Sequence, residues 1–321
     1  MKNEQVIVIG GGPCGLSAAI ELKNKGINPL IIEKGNIVNA IYNYPTHQTF
    51  FSSSEKLEIG DVPFIIEQHK PKRNQALVYY REVASRHRLR INRFEKVVNV
   101  TKQDERFLIQ TDRELYSAEE VIVATGYYDH PNQLTCPGAE LQKVHHYFKE
   151  AHPYFDMDVA VIGGKNSAVD AAIELQKAGA RVTVLYRGSE YSQSIKPWIL
   201  PEFEALVKNG TVNMIFNAEL KEITHHSLIY TDGFEERVIE NDVVFAMIGY
   251  HPDHSFIEAM GVEIDYDSGR PLFNPDTMET NVKGIYIAGV IAAGNNANEI
   301  FIENGRFHGK QIAEAISQKR S

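Results

Sequence analysis

Val6-Ile7-Val8-Ile9-Gly10-Gly11-Gly12-Pro13-Cys14-Gly15 is the stretch that decides the fold. Four apolar residues in a row suit a strand buried on both faces, and the glycines after them match G-x-G-x-x-G in its strand-to-helix setting. Gly10 permits a sharp turn, Gly12 lets a pyrophosphate approach the backbone, and Gly15 lets the next helix pack close to the strand. That helix, expected over about residues 13–24, aims free N–H groups and the positive end of its dipole at phosphates. A second strand over 28–32 ends at Glu33, whose carboxylate suits ribose hydroxyls. Strand, turn, helix, strand and acid in register point to a site for the ADP half of a dinucleotide. Where most turns of this kind carry a small inert residue before the third glycine, this one carries Cys14.

The arrangement returns at Val159-Ala160-Val161-Ile162-Gly163-Gly164-Lys165-Asn166-Ser167-Ala168, with a helix expected through 178 and a strand at 181–186. This second strand leads to Arg187 instead of an acid. A carboxylate repels a 2′-phosphate, whereas a guanidinium binds it through paired hydrogen bonds. The first unit is therefore expected to hold FAD through Gly10, Gly12, Pro13, Cys14, Gly15, Glu33 and Lys34. The second is expected to hold NADPH rather than NADH, through Gly163, Lys165, Asn166, Ser167, Ala168 and Arg187; a plain surface charge is the competing reading of Arg187. The first domain's last strand ends in Ala124-Thr125-Gly126, the proline-bearing segment 127–138 reads as a crossing, and 249–252 reads as the return. The fold class is α/β, with two Rossmann-like dinucleotide-binding domains. The FAD domain spans 1–126 and 251–321, and the NADPH domain, 127–250, is inserted into it.

Residues 34–63 carry few periodic apolar positions and many aromatic ones, and a loop of that length inside a compact domain is usually functional. Thr46, His47 and Gln48 are its candidate FAD contacts, the alternative being a loop that only seals the core. Residues 74–87 have helical spacing, with Arg81, Arg86, Arg88 and Arg90 read as a solvated face. Residues 96–101 and 106–111 alternate like antiparallel strands, and Val98, Thr125 and Gly126 are further candidate FAD contacts. A helix is expected at 198–208, strands at 213–216, 228–231, 243–248 and 285–288, and a last helix at about 298–317. The pairs His145-His146 and His225-His226 would face opposite ways on a strand, so no metal site is expected.

A chain of 321 residues suits two ordinary domains, and 43% hydrophobic with 23% charged content is that of a soluble globular protein. The formal net charge of −9 argues against nucleic acid as a partner. No tract is long enough to span a bilayer, and the first strand starts too near Met1 to leave room for a signal peptide. Two cysteines, Cys14 and Cys136, make neither a disulfide scaffold nor a zinc site, which fits the cytoplasm. Cys136, in the crossing, is read as structural or incidental.

Two such units, joined at an A-T-G strand end and closed by an A-G segment, resemble the flavoproteins with two dinucleotide-binding domains over nearly the whole chain. Thioredoxin reductases share the size and order but carry a C-x-x-C pair that is missing here. The chain is most similar to the bacillithiol disulfide reductase family, which looks like thioredoxin reductase without the redox pair. It shares the turn at Gly10 to Gly15, the loop Tyr44-Pro45-Thr46 and the ending Ala288-Gly289-Val290. The resemblance implies NADPH-dependent, FAD-containing reduction of a low-molecular-weight disulfide, and thiol redox homeostasis as its setting. It also implies a bacilliredoxin-type redox protein as a partner, a homo-oligomer, and Cys14 as the catalytic residue. The first turn of a helix is also an environment that lowers a thiol pKa; the competing reading is a small side chain packed beneath the pyrophosphate. Val290 stands where many superfamily members have aspartate, so backbone donors at Gly289 and Val290 are expected to face FAD. Three alternatives remain: a flavin monooxygenase, suggested by Ala124-Thr125-Gly126 and Phe50-Phe51-Ser52 but lacking that family's histidine fingerprint; a ferredoxin or flavodoxin reductase; and a flavin-binding sensor, against which Arg187 speaks.

Overall fold

The structure, a computed structural model, describes residues 1–296 and 298–320. The chain opens with β1 (Lys2–Ile9), α1 (Pro13–Asn24) and β2 (Leu30–Glu33). α2 (Asn39–Asn43), α3 (Arg73–Arg86), β3 (Arg90–Arg93), β4 (Val97–Gln103), β5 (Arg106–Thr111) and β6 (Leu115–Val123) follow. The stretch 34–63, expected as a long loop, holds α2 and a 3-10 turn at Glu55–Leu57. Two compact units result. One joins Met1–His130 to His251–Ser321, and the other is Pro131–Tyr250. The outgoing crossing lies four residues beyond Gly126, because His130 still belongs to the first unit. His251 N–H donates to His130 O at 2.9 Å, and the His130 ring stands 3.6 Å from the Asp253 carboxylate.

The inserted unit contains β7 (Val144–His145), β8 (Asp158–Ile162), α4 (Asn166–Lys177), β9 (Arg181–Leu185), α5 (Leu200–Lys208) and β10 (Val212–Ile215). It continues with β11 (Glu219–Ile223), β12 (Ser227–Thr231), β13 (Glu236–Glu240) and β14 (Val243–Ala246). Strands β10-β9-β8-β14-β7 form a parallel sheet, and β11-β12-β13 an antiparallel one. Alternation along each parallel strand splits its residues between two cores. Val159, Val161, Val182, Val184 and Phe245 join the helices' side, while Ala160, Ile162, Leu185 and Val244 join the cluster of the antiparallel strands.

The first unit is completed by α6 (His254–Glu258), β15 (Ile264–Asp265), β16 (Arg270–Pro271), β17 (Ile285–Ile287), α7 (Ile302–Gly305) and α8 (His308–Arg320). The last helix, expected as one piece, is thus two. Its seven-stranded sheet runs β3-β2-β1-β6-β5-β4, with β17 also on β6. β6 is the shared strand. Its first half pairs antiparallel with β5 and its second half parallel with β17, through Val121, Ile122 and Val123. Val6, Ile7 and Val8 of β1 are fully buried, each contributing about 1.5–3 kcal/mol of burial. α8 meets α1 where Gly309 lies against Ala18, so closely that a Cβ on Gly309 would come 2.7 Å from the Ala18 backbone. Among the described residues no helix is long and apolar enough to cross a membrane.

Candidate active site

The first glycine turn is fixed by contacts that only glycines permit. Gly10 has φ +110°, donates its N–H to Ile32 O at 2.9 Å, and a Cβ on it would come 2.4 Å from Ala124 O. A Cβ on Gly15 would come 2.1 Å from Gly10 O, which is the close helix approach the motif predicts. Gly12, in contrast, faces open space, with nothing within 4 Å of where its Cβ would be. Its position at the head of α1 is therefore open to an anion.

Glu33 is buried and holds the turn in place. Its Oε2 accepts Gly11 N–H at 2.6 Å and its Oε1 accepts Gly35 N–H at 2.7 Å. Burial raises its pKa, and these two bonds oppose the rise. Each oxygen keeps a second lone-pair site for a ribose hydroxyl. Lys34 pairs with Asp129 at 3.0 Å. The Gln48 side-chain amide donates to Thr49 O and its backbone carbonyl accepts the Arg73 backbone N–H, while Thr46 is exposed and His47 partly buried. Val98 is exposed at the register shift of β4. Thr125 Oγ1 is buried with no hydrogen-bond partner among the described residues. An unmatched buried hydroxyl at the end of β6, where that strand meets the turn, fits a polar ligand there. With the open face of Gly12 and the positive end of α1, it makes the residues a fit for the nucleotide of a flavin.

Two expectations are corrected here. Cys14 is partly buried, but its sulfur is packed: a Cβ on Gly289 would come 3.0 Å from Sγ, and one on Gly305 would come 3.1 Å from it. Burial pushes the thiol up to about 12, the opposite of the lowering expected from the helix end alone. Gly289 N–H is donated to His308 Nδ1 at 3.1 Å, so it is not the spare backbone donor expected beside Val290. That bond needs His308 neutral with its proton on Nε2, and burial lowers its pKa accordingly.

In the inserted unit Gly163 has φ +134°, donates to Leu185 O at 2.9 Å, and a Cβ on it would come 2.4 Å from Met247 O. Lys165 and Ser167 are exposed at the head of α4, while Ala168 is fully buried and packs behind the turn. Arg187 is exposed and has no ion-pair partner among the described residues, leaving its guanidinium open to a phosphate. Asn166, the first residue of α4, donates one side-chain N–H to Ser194 O at 2.7 Å and accepts Lys196 N–H at 2.8 Å, which ties it to the loop after β9.

Sequence reasoning missed His308, Tyr186 and the pair Asp170–Lys196. The Tyr186 ring lies where a Cβ on Gly164 or Gly188 would go, at 2.2 and 2.4 Å, so the Gly-Tyr-Gly pairing was legible only across a fold. Asp170 and Lys196, 2.8 Å apart, are 26 residues distant and carry no local signal.

The model of the pyridine nucleotide-disulphide oxidoreductases matches residues 7–289. The chain is 66% identical over 323 residues to the bacilliredoxin reductase Bdr of Bacillus subtilis (strain 168), covering all of both chains. Among solved structures, the bacillithiol disulfide reductase Bdr of Bacillus cereus superposes with a TM-score of 0.98 at 67% identity, covering 99% of this chain and 100% of that one. The Bdr of Staphylococcus aureus gives 0.98 at 60%, covering 100% of each. The chain belongs to the pyridine nucleotide-disulphide oxidoreductase family, and within it to the Bdr group, which makes it an oxidoreductase that works with a flavin and a pyridine nucleotide.

Proposed function

We propose that this enzyme is a FAD-containing, NADPH-dependent reductase of a low-molecular-weight disulfide, with bacillithiol disulfide as the substrate that the names of its relatives indicate. The observation that carries this reading is the sulfur at the flavin-site turn. Cys14 is a free cysteine with no C-x-x-C partner in the sequence, and this reading takes the second sulfur of a disulfide cycle from the substrate. A reductase with a C-x-x-C pair would instead carry its own disulfide.

Gly10, Gly12, Gly15, Glu33 and Thr125 would hold FAD, and the turn at Gly163, the head of α4 and Arg187 would hold NADPH. When bound, FAD supplies a two-electron carrier between NADPH and a disulfide. Cys14 then attacks the substrate disulfide, releasing one thiol and retaining the other in a mixed disulfide. The electron pair brought by NADPH returns that mixed disulfide to two thiols. Burial keeps Cys14 protonated at rest, so attack depends on the positive end of α1 stabilising the thiolate as it forms. The same reading expects a cytoplasmic setting in thiol redox homeostasis, a bacilliredoxin-type partner and a homo-oligomer. Cys14→Ala tests it. Loss of disulfide-dependent NADPH oxidation at unchanged flavin content is expected; full turnover by the variant removes the thiol from the reaction.

A further inference from the structure

The loop that follows Arg187 is fastened to the helix that heads the second nucleotide site. Residues 188–199 form no helix or strand, yet they are not held by packing alone. Asn166, the first residue of α4, makes two hydrogen bonds to this loop, one to Ser194 O and one from Lys196 N–H. One turn further along the same helix face, Asp170 receives Lys196 Nζ at 2.8 Å. Both side chains of that pair are largely shielded, at 10% and 16% exposure, so the pair is screened far less than a surface bridge. Ile195, between Ser194 and Lys196, is buried, and the Tyr191 ring packs edge-on against Phe203 and Phe216. The segment 191–196 is thus anchored at both ends. What remains exposed is the short span carrying Arg187, Ser189 and Glu190; its near end is fixed by Tyr186 wedged between Gly164 and Gly188 and by Ala218 and Asn217 N–H donating to Tyr186 O and Gly188 O at 3.0 and 2.9 Å, and its far end by the segment 191–196.

This arrangement gives Asn166 and Lys196 a structural task beside the nucleotide site. The amide of Asn166 is engaged at both its oxygen and its nitrogen by the loop, and the Lys196 ammonium is neutralised by Asp170. Both side chains are thus oriented by the loop contact itself. We propose that Asn166 and the Asp170–Lys196 pair are positioning residues. They hold the Arg187 loop at a fixed distance from the glycine turn, and so set the preference for a pyridine dinucleotide with a 2′-phosphate over one without. The proposal rests on the NADPH reading of Arg187 made above. Its physical basis is that a guanidinium selects a phosphate only while its backbone is held; a loosened loop keeps the charge and loses the paired geometry.

The test is equilibrium titration of the full-length protein with NADP⁺ and with NAD⁺, alongside melting without nucleotide. Arg187→Ala is expected to weaken NADP⁺ at least tenfold and NAD⁺ less than twofold; an unchanged NADP⁺ affinity would sink the NADPH reading itself. Given that loss, Asn166→Ala is expected to weaken NADP⁺ five- to tenfold with NAD⁺ little changed, and Lys196→Arg to restore most of what Lys196→Met loses. If Asn166→Ala binds NADP⁺ as tightly as the parent, or weakens both nucleotides equally, the positioning role is overturned while the reading of Arg187 survives. Should Asn166→Ala fail to fold, the charge-free pair Asp170→Asn with Lys196→Gln is read by the same criteria.

Discussion

Replacing Gly305 with alanine probes the packing around Cys14 directly. Gly305 ends α7 without a positive φ, so its backbone accepts alanine and only space decides the outcome. The new Cβ would lie 3.1 Å from Cys14 Sγ, 3.1 Å from Ile300 Cγ2 and 3.2 Å from Gly289 Cα. Each contact is a few tenths of an ångström too close, and the Gly289 backbone cannot yield cheaply. Overpacking of this kind costs about 1–3 kcal/mol, offset by up to ~1 kcal/mol from the better helix propensity of alanine. The net expectation is a loss of about 1 kcal/mol. Placed on Cys14→Ala, which removes the sulfur, the same substitution loses one of its three clashes. The two changes should then couple by roughly 0.5–1 kcal/mol, the double variant being more stable than the sum of the singles predicts. Urea denaturation of all four proteins at one fixed, saturating flavin concentration gives the cycle. Additivity within about 0.3 kcal/mol would show that Sγ does not press on Gly305.

Thr125→Val removes the unmatched hydroxyl at the end of β6 while keeping the side chain's shape. It should stabilise the flavin-free protein by about 1 kcal/mol and weaken FAD several-fold, read from melting curves with and without FAD; equal FAD affinity would mean the hydroxyl is no ligand. For His308, burial places the folded-state pKa below the ordinary value of about 6.5. The unfolded chain therefore takes up the proton first as pH falls through about 6.5, and stability is lost from there until the folded-state value is passed. His308→Asn, which still offers Gly289 an acceptor but does not titrate, should lose less stability between pH of about 7.5 and 5.5 than the parent. Identical slopes for the two would show that His308 is not held neutral by its place beside Gly289.

Much of this molecule could be read from the chain because its deciding features are local. β1, the glycine turn and α1 follow from ten consecutive residues, and the second unit repeats them. What could not be read depends on partners far apart in sequence. β3, β11 and β13 carry polar, half-exposed patterns such as Arg90-Ile91-Asn92-Arg93, so alternation did not mark them, and neighbouring strands pull them into sheets. The final helix breaks between Gly305 and His308, and His308, at the start of the second piece, turns its ring to Gly289 N–H, a contact made across 19 residues. For the site, Glu33 and Arg187 are marked by their position in a motif. The state of Cys14 was misjudged because the helix end is a local signal, while the burial that overrides it comes from Gly289 and Gly305, nearly the whole chain away.

The double role of β6 bears on how the polypeptide comes off the ribosome. Val121, Ile122 and Val123, fully buried in the finished protein, acquire their β17 neighbours only after the whole of Pro131–Tyr250 has been synthesised. Until Ile285 emerges, the nascent first unit shows a bare apolar strand border of the type that recruits other chains. The inserted unit has no such delay, since each of its strands is drawn from one continuous segment. Premature termination before residue 285 is thus the accident this topology tolerates least, and loss of soluble yield on such truncation, set against a soluble 131–250 fragment, is how it would show.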